Sequence, residues 1–499
     1  MRCLTVAIAV AALGGCAVLD EPLRRHLESP APALRACAEW FAVLDAQTDA
    51  AGVRDAQEAR IAGFPYLRAN RLLAALKPRA GNDERALYAL GERLAALDHA
   101  ARKAELANLP DEGLAALPGP LLGGARGEAL ARSRECARLL REIDLAEPET
   151  RRSLLERVSV PDDYSRTLRV FGLYALTRIP FAASVRRWED EMRAAFAREP
   201  VAASGSVVVR YAPPVAPRLA RAAVARALAE AASNPLGIPE PAAADLEALL
   251  AAHAPSFEIE VRGDADRFGR LRWLRGARTP SVDGSEQAVY AHVAHTLYRG
   301  RVLLQLVYTI WFPERPPSSP GDILAGTLDG MTWRVTLAPD GEPLLYDTIH
   351  ACGCFHMFFA TPRARALPPP DGLEEWAFVP QSLPRVADGE RPLVRIASGT
   401  HYVERVSLVR GTDSVARYAF HAYEELRSLA RLDGGRASAF GPDGLIAGTE
   451  RPERFLFWPM GIESAGAMRQ WGRHATAFVG RRHFDDPDLL EKRFVLDLP

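Results

Sequence analysis

The hydrophobic period of this chain changes once, and the change decides its fold class. Up to about residue 158, apolar residues recur every three or four positions, as Leu87, Leu90, Leu94 and Leu97 do. That is the repeat of a helix with one buried face. From Phe257 the repeat is two: Phe257-Glu258-Ile259-Glu260-Val261 alternates, as a half-buried strand does. A chain with the two periods in separate blocks is expected to be α+β. It should have a helical N-terminal domain followed by a β-rich, mainly antiparallel C-terminal domain with a few helices.

Breakers place the elements. One long helix starts at Asn82-Asp83 and ends before Pro110, and a second runs from about Gly127 to Glu147. Cys37 lies three or four residues from Leu34, Trp40 and Phe41, and Cys136 shares a side with Leu139 and Leu140. Both cysteines therefore face a core. Residues 161–256 read as a mixed connecting region, with strands at Leu168 to Leu176 and Val207 to Tyr211. Helices are expected there at Val185 to Phe196 and Pro217 to Ala232. In 257–499, Arg299-Gly300 turns a hairpin between Ala288–Leu297 and Val302–Phe312. Asp329-Gly330 is a strong turn signal between two further short strands. Leu344 to Ile349 is the next strand, Leu393 to Ile396 and Tyr402 to Val409 follow, and Ser414 to Ala430 reads as a helix. The expected domains are 16–160, 161–256 and 257–499.

The first residues, MRCLTVAIAVAALGGC, combine one positive charge with an apolar run too short to span a bilayer. Such a run is a processing signal, here residues 1–15. Its end, Leu13-Gly14-Gly15-Cys16, resembles the lipobox of bacterial lipoprotein precursors. That resemblance implies cleavage before Cys16, acylation of Cys16, and attachment to a membrane through the lipid. Ala17 rather than Asp after the cysteine implies the outer membrane, facing the periplasm.

Net charge is −1, so no global basic field points to nucleic acid, and no nucleic-acid partner is expected. Lysine supplies only Lys77, Lys103 and Lys492 of the 62 basic residues. An exported chain meets an oxidising compartment, where thiols are paired, liganded or buried. Cys37 and Cys136, both on apolar helix faces, are expected to form a disulfide.

The remaining cysteines stand in HACGCFHM, where His350, Cys352, Cys354 and His356 occupy every second position. On a straight strand these four form one stripe, with neighbours about 6.5 to 7 Å apart and the outer pair about 20 Å apart. Metal–ligand bonds for zinc are only about 2.0 to 2.3 Å, so the four can share an ion only if the chain bends. Gly353, at the centre, is the residue free to make that bend. Thiolate with imidazole suits zinc, copper or iron. Asp347 can orient an imidazole, and His292 or His401 can complete a site. Three other readings stay open. Cys352 and Cys354 can be a labile redox pair, because a Cys-Gly-Cys disulfide closes a small strained ring. One thiol can be a nucleophile with a histidine base. The stretch can also be structural.

No GxSxG, HExxH, Walker A or helix-opening GxGxxG is present. Arg481 and Arg482 are expected to pair with Asp485 and Asp486 on a solvated face. The expectation is a lipid-anchored envelope protein with a Cys/His transition-metal site in its β domain. The alternatives are a thiol–disulfide redox protein, or a non-catalytic envelope binding or assembly protein with a structural Cys-Gly-Cys.

Overall fold

The computed structural model describes residues 21–119, 125–215, 219–410 and 416–499. The signal segment and the lipidation expected at Cys16 lie outside the described residues. The architecture is α+β, a helical N-terminal region followed by mostly antiparallel sheet.

Three long helices, α1 (Pro32–Ala50), α2 (Glu84–Asn108) and α3 (Ala125–Ala146), follow the three- and four-residue period. Asp83 caps α2 by accepting the Arg85 N–H. Leu44, Leu90, Leu94 and Leu140 close one core around Trp40, Phe64 and Tyr66. Cys37 of α1 and Cys136 of α3 are joined in a disulfide with Cα atoms 5.1 Å apart, as their apolar positions predict. The same core encloses charge. Arg68 and Arg102, both 0% exposed, are held by Asp45, Asp98 and Glu105. Burial opposes the charge on Glu105, yet Arg68 and Arg102 hold its carboxyl down to about 2.

The next segment differs from expectation. Leu168 to Leu176 is not a strand but two helices, α4 (Arg166–Phe171) and α5 (Tyr174–Phe196), meeting at a corner. Trp188, Met192 and Phe196, four residues apart on α5, all pack on the sheet core. That helical register continues back through the shorter apolar run.

Eleven strands build two sheets: β1 (Val207–Ala212), β2 (Ser256–Val261), β3 (Ala288–Tyr298), β4 (Arg301–Arg315), β5 (Gly326–Leu337), β6 (Pro343–His350), β7 (Met357–Ala360), β8 (Glu390–Ile396), β9 (Val403–Arg410), β10 (Ala416–Arg417) and β11 (Ala419–Ala422). The larger sheet has the order β7-β6-β5-β4-β3-β11 and is antiparallel except for β3 with β11. The smaller has the order β9-β8-β2-β1-β10. Strand β1, from the connecting region, thus pairs with β2 in the same sheet as β8 and β9 from the later part. The sheets face each other across Phe257, Ile259, Val394 and Ile396 on one side and Tyr308, Ile310, Trp333 and Val335 on the other. The opposite face of β4 places Trp311 in a second core with Cys352, Leu426 and Met468, as a period of two requires.

Two local expectations give way to tertiary structure. Asp329-Gly330 does not turn: β5 runs through it, with Phe312 opposite Asp329 and Trp311 opposite Gly330. Asp329 is fully buried and claimed by His401 and Arg451, and those contacts outweigh a turn preference. The described part of the expected helix, 416–430, is not an α-helix. β11 instead pairs along β3 from Ala288 to Ala291, and residues Tyr423–Arg427 form a 3-10 turn. Sheet and helices are bolted together by Arg427, which reaches Asp55 at 2.8 Å and Glu58 at 3.1 Å.

Candidate functional site: a paired thiol at an apolar cavity

The HACGCFHM stretch links β6 to β7. It is a tight reversal rather than a straight strand. The Gly353 N–H donates to the His350 carbonyl at 2.8 Å, and the His350 N–H donates to the Cys354 carbonyl at 3.0 Å. Gly353 has φ +92°, and a Cβ there would stand 2.5 Å from the Ala475 carbonyl oxygen. Glycine is required at the bend for both reasons. The turn is fixed from outside. Ala351 donates to the Gly330 carbonyl at 2.8 Å, and Arg469 Nε donates to the Cys352 carbonyl at 3.2 Å.

The bend keeps the two thiols together but does not gather the four side chains of the expected metal site around one point among the described residues. His350 turns to Asp329, Nδ1 to Oδ1 3.5 Å, and lies edge-on to Phe355 and Tyr402. His356 lines the same cavity as the two cysteines, and its Nε2–H donates to Asp347 at 2.9 Å. Asp347 also takes Arg334, so it does orient an imidazole, that of His356. His401 donates to Asp329 from Nδ1 at 2.9 Å and stacks on Phe312. His292 is packed between Tyr423 and Trp471. Among the described residues, no three His, Cys, Asp or Glu side chains are grouped so as to hold an ion. A three- or four-ligand zinc or iron centre does not fit this arrangement.

Burial governs the histidines. It pushes His356 and His292 down to about 3 and lowers His350 in spite of Asp329. For His401 burial is outweighed by Asp266 and Asp329, which raise it.

The two thiols stay together. Cys354 donates its backbone N–H to Cys352 Sγ at 3.4 Å, and the two thiols interact. That contact lowers the Cys352 thiol, against burial and with help from Arg451. It raises Cys354, which burial raises further. Cys352 is thus the more readily deprotonated of the two thiols.

Both sulfurs line a cavity of about 640 Å³. Its walls are mostly apolar and aromatic: Phe181 and Trp188 of α5, Phe355, Phe378, Tyr402 and Phe478. Trp188 packs on both Phe355 and Phe378 with ring centres 5.3 Å away. Glu453 lines this cavity too, and burial raises it to about 7 although Arg451 and Arg315 oppose the rise. Gly466, with φ +87°, leaves room for its carboxylate, because a Cβ there would stand 2.0 Å from the Glu453 oxygen. A convergent apolar cavity with a perturbed acid and an activated thiol is the usual form of a small-molecule site.

Sequence reasoning found the thiols and the bend but not Trp188, Arg451, Glu453 or Arg469. These come from elements about 100 residues or more away in the chain and carry no motif. The expected pairing of Arg481 and Arg482 with Asp485 and Asp486 is replaced. Arg481 pairs with Asp162, Arg482 is buried against Thr476, and Asp485 holds Arg71. The turn between Ala475 and His483 folds inward, so these charges find partners from earlier in the chain. No protein-family model, curated protein or solved structure matches the chain.

Proposed function

We propose that this protein is a lipid-anchored envelope protein that carries out thiol–disulfide exchange with a small apolar molecule, using Cys352 and Cys354. The observation that carries the reading is that the Cys354 backbone N–H donates to Cys352 Sγ at 3.4 Å and both cysteines line one apolar cavity. Cys352 is only 2% exposed. A protein disulfide cannot reach it, but a molecule that enters the cavity can. In the exchange, the Cys352 thiolate attacks one sulfur of a substrate disulfide, whose S–S bond breaks. The departing thiolate takes a proton. Cys354 then attacks the Cys352 sulfur, which releases the second thiol and leaves a Cys352–Cys354 disulfide. A dithiol reductant returns the pair to its starting state. Anchoring at Cys16 rests on the lipobox resemblance alone.

The test is to mix reduced protein with the neutral aromatic disulfide 4,4′-dithiodipyridine and follow thiopyridone release. Two thiopyridones should appear per site in wild type, one in Cys354→Ser and none from the site in Cys352→Ser. Equal reactivity of all three forms contradicts the proposal.

A second reading keeps the same sulfurs as a soft-ion site. Their adjacency, with both ring nitrogens of buried His350 lacking a hydrogen-bond partner, suits copper(I) held by two thiolates better than zinc or iron. Copper near one per chain, with thiols that react only after chelation, would favour it.

A further inference from the structure

Half of the exposed large hydrophobic side chains among the described residues fall in two short segments. Val170, Phe171, Leu173, Leu176 and Ile179 are 53–76% exposed, and Phe455, Leu456 and Trp458 are 37–68% exposed. Scattered single apolar residues need no explanation, but a contiguous patch does. These segments are contiguous. Ser165 donates to the Gly461 carbonyl at 2.7 Å, and Arg169 Nε donates to the Met460 carbonyl at 2.8 Å. Gly172 lies so close to Pro459 that a Cβ on it would be 2.5 Å from the proline Cα. The α4–α5 corner and the helix Arg454–Phe457 (α6) therefore form one plateau.

Leu173, at the apex of the corner, has φ +49° and is 63% exposed. A leucine in left-handed backbone is strained, and here the strain serves no core. What it does is project an apolar side chain outward between α4 and α5.

The border of the plateau is basic. Arg166, Arg178 and Arg454 carry no ion pair among the described residues. Arg178 lies 5.8 Å from the ring centre of Tyr174, and Arg454 lies 4.8 Å from that of Phe455. Each guanidinium is thus held at the edge of apolar surface, with its charge free for an external anion. Trp458 sits on the same border. Apolar side chains in the middle, with arginine and tryptophan around them, match the profile of a bilayer from acyl chain to phosphate. A protein partner or second copy would have to bring matching carboxylates.

The plateau is also continuous with the cavity. Pro180 and Leu456 are exposed on it and line the cavity as well. We infer that this plateau lies in the interface of a phospholipid bilayer, with the mouth of the cavity against the lipid. The inference does not depend on the thiol reading or on acylation of Cys16.

The test is lipid photolabelling of the full processed protein. It is bound to vesicles of phosphatidylcholine and phosphatidylglycerol that carry a diazirine on the acyl chain. After irradiation, the labelled residues are mapped by mass spectrometry. Label is expected at 170–179 and 455–458 at least ten-fold above that at other exposed apolar residues, such as Val201 and Leu432. The triple variant Phe171→Ser, Leu173→Ser, Phe455→Ser should lose that label while its melting temperature stays within a degree or two. Label spread evenly over the surface overturns the inference. So does an unlabelled plateau, and so does a concentration-dependent dimer that the triple variant abolishes while lipid label is absent. Cys352→Ser should label like wild type, which separates this outcome from failure of the thiol reading.

Discussion

Cys354 gives its backbone N–H to the sulfur of Cys352 at 3.4 Å, one of the contacts that set the two thiols apart. A sulfur that accepts hydrogen bonds from its neighbour carries charge more readily, and the neighbour that donates keeps its proton. The geometry needs the reversal at Gly353. A straight strand would hold the two sulfurs about 6.5 to 7 Å apart.

Gly353 is the most sensitive position in the turn. Gly353→Ala should cost about 1–2 kcal/mol for left-handed backbone alone. The approach to the Ala475 carbonyl adds to that, and Gly353→Val should cost more. Urea unfolding of each variant checks this. A fully stable Gly353→Val would mean that the chain does not reverse here.

The disulfide between Cys37 and Cys136 closes a separation of 99 residues. The chain-entropy account puts a loop near that length at up to about 4.7 kcal/mol. Replacing both cysteines by serine should lower stability by a large part of this. Non-reducing peptide maps should recover the two cysteines in one cross-linked pair.

Stability should depend on Glu453 in the direction opposite to most carboxylates. Its folded value is raised to about 7, so the folded state binds a proton that the unfolded chain releases near the ordinary glutamate value of about 4.3. That contribution is complete below about pH 4.3 and is lost as pH rises through about 7. Glu453→Gln should therefore gain melting temperature relative to wild type at pH 8 and show little difference at pH 4.5. Melting curves of both proteins at the two pH values decide it.

Acid should act through the buried histidines. His292, His356 and His474 are held neutral by burial, each down to about 3. The unfolded chain protonates near the ordinary histidine value of about 6.5. Stability is thus full above that value and is lost as pH falls from about 6.5 towards about 3. The slope of unfolding free energy against pH near pH 5 should correspond to uptake of several protons. His292→Leu, which removes a ring with both nitrogens unpartnered, should reduce that slope by about one.

Arg427→Ala should loosen the helical part from the sheet. It leaves Asp55 and Glu58 buried without their arginine, a loss of about 3 kcal/mol for a broken buried pair. Hydrogen exchange should rise first at residues 55–58 and 423–427.

The long helices were legible because each buries one face, and burial imposes a period; the central strands of the β3–β7 meander, buried on both faces, were legible as apolar runs between turns. Leu87, Leu90 and Leu94 or Ile310, Trp311 and Phe312 carry that signal locally. The failures lie where a distant partner overrides a local preference. Asp329-Gly330 has a turn sequence, but His401 and Arg451 hold it in a strand. Residues 419–422 are drawn into β11 by the open edge of β3. At the site, Cys352, Gly353 and Cys354 were visible as a motif, and glycine predicted the bend. That the bend would send His350 to Asp329 and His356 to Asp347 was not legible. It depends on how β5 and β6 are placed beneath the turn.

The account rests on Cys352 and Cys354 acting as one reversible pair, and peptide mass mapping across a redox titration tests that most directly. Protein is equilibrated with dithiol–disulfide buffers, free thiols are trapped with an alkylating reagent, and the peptide holding both cysteines is weighed. The account predicts a single reversible transition between a doubly alkylated form and an unalkylated Cys352–Cys354 disulfide, with the melting temperature maintained at both ends and no metal near one per chain. Thiols that stay reduced at every potential, or an ion near one per chain that blocks alkylation until it is chelated, would contradict it.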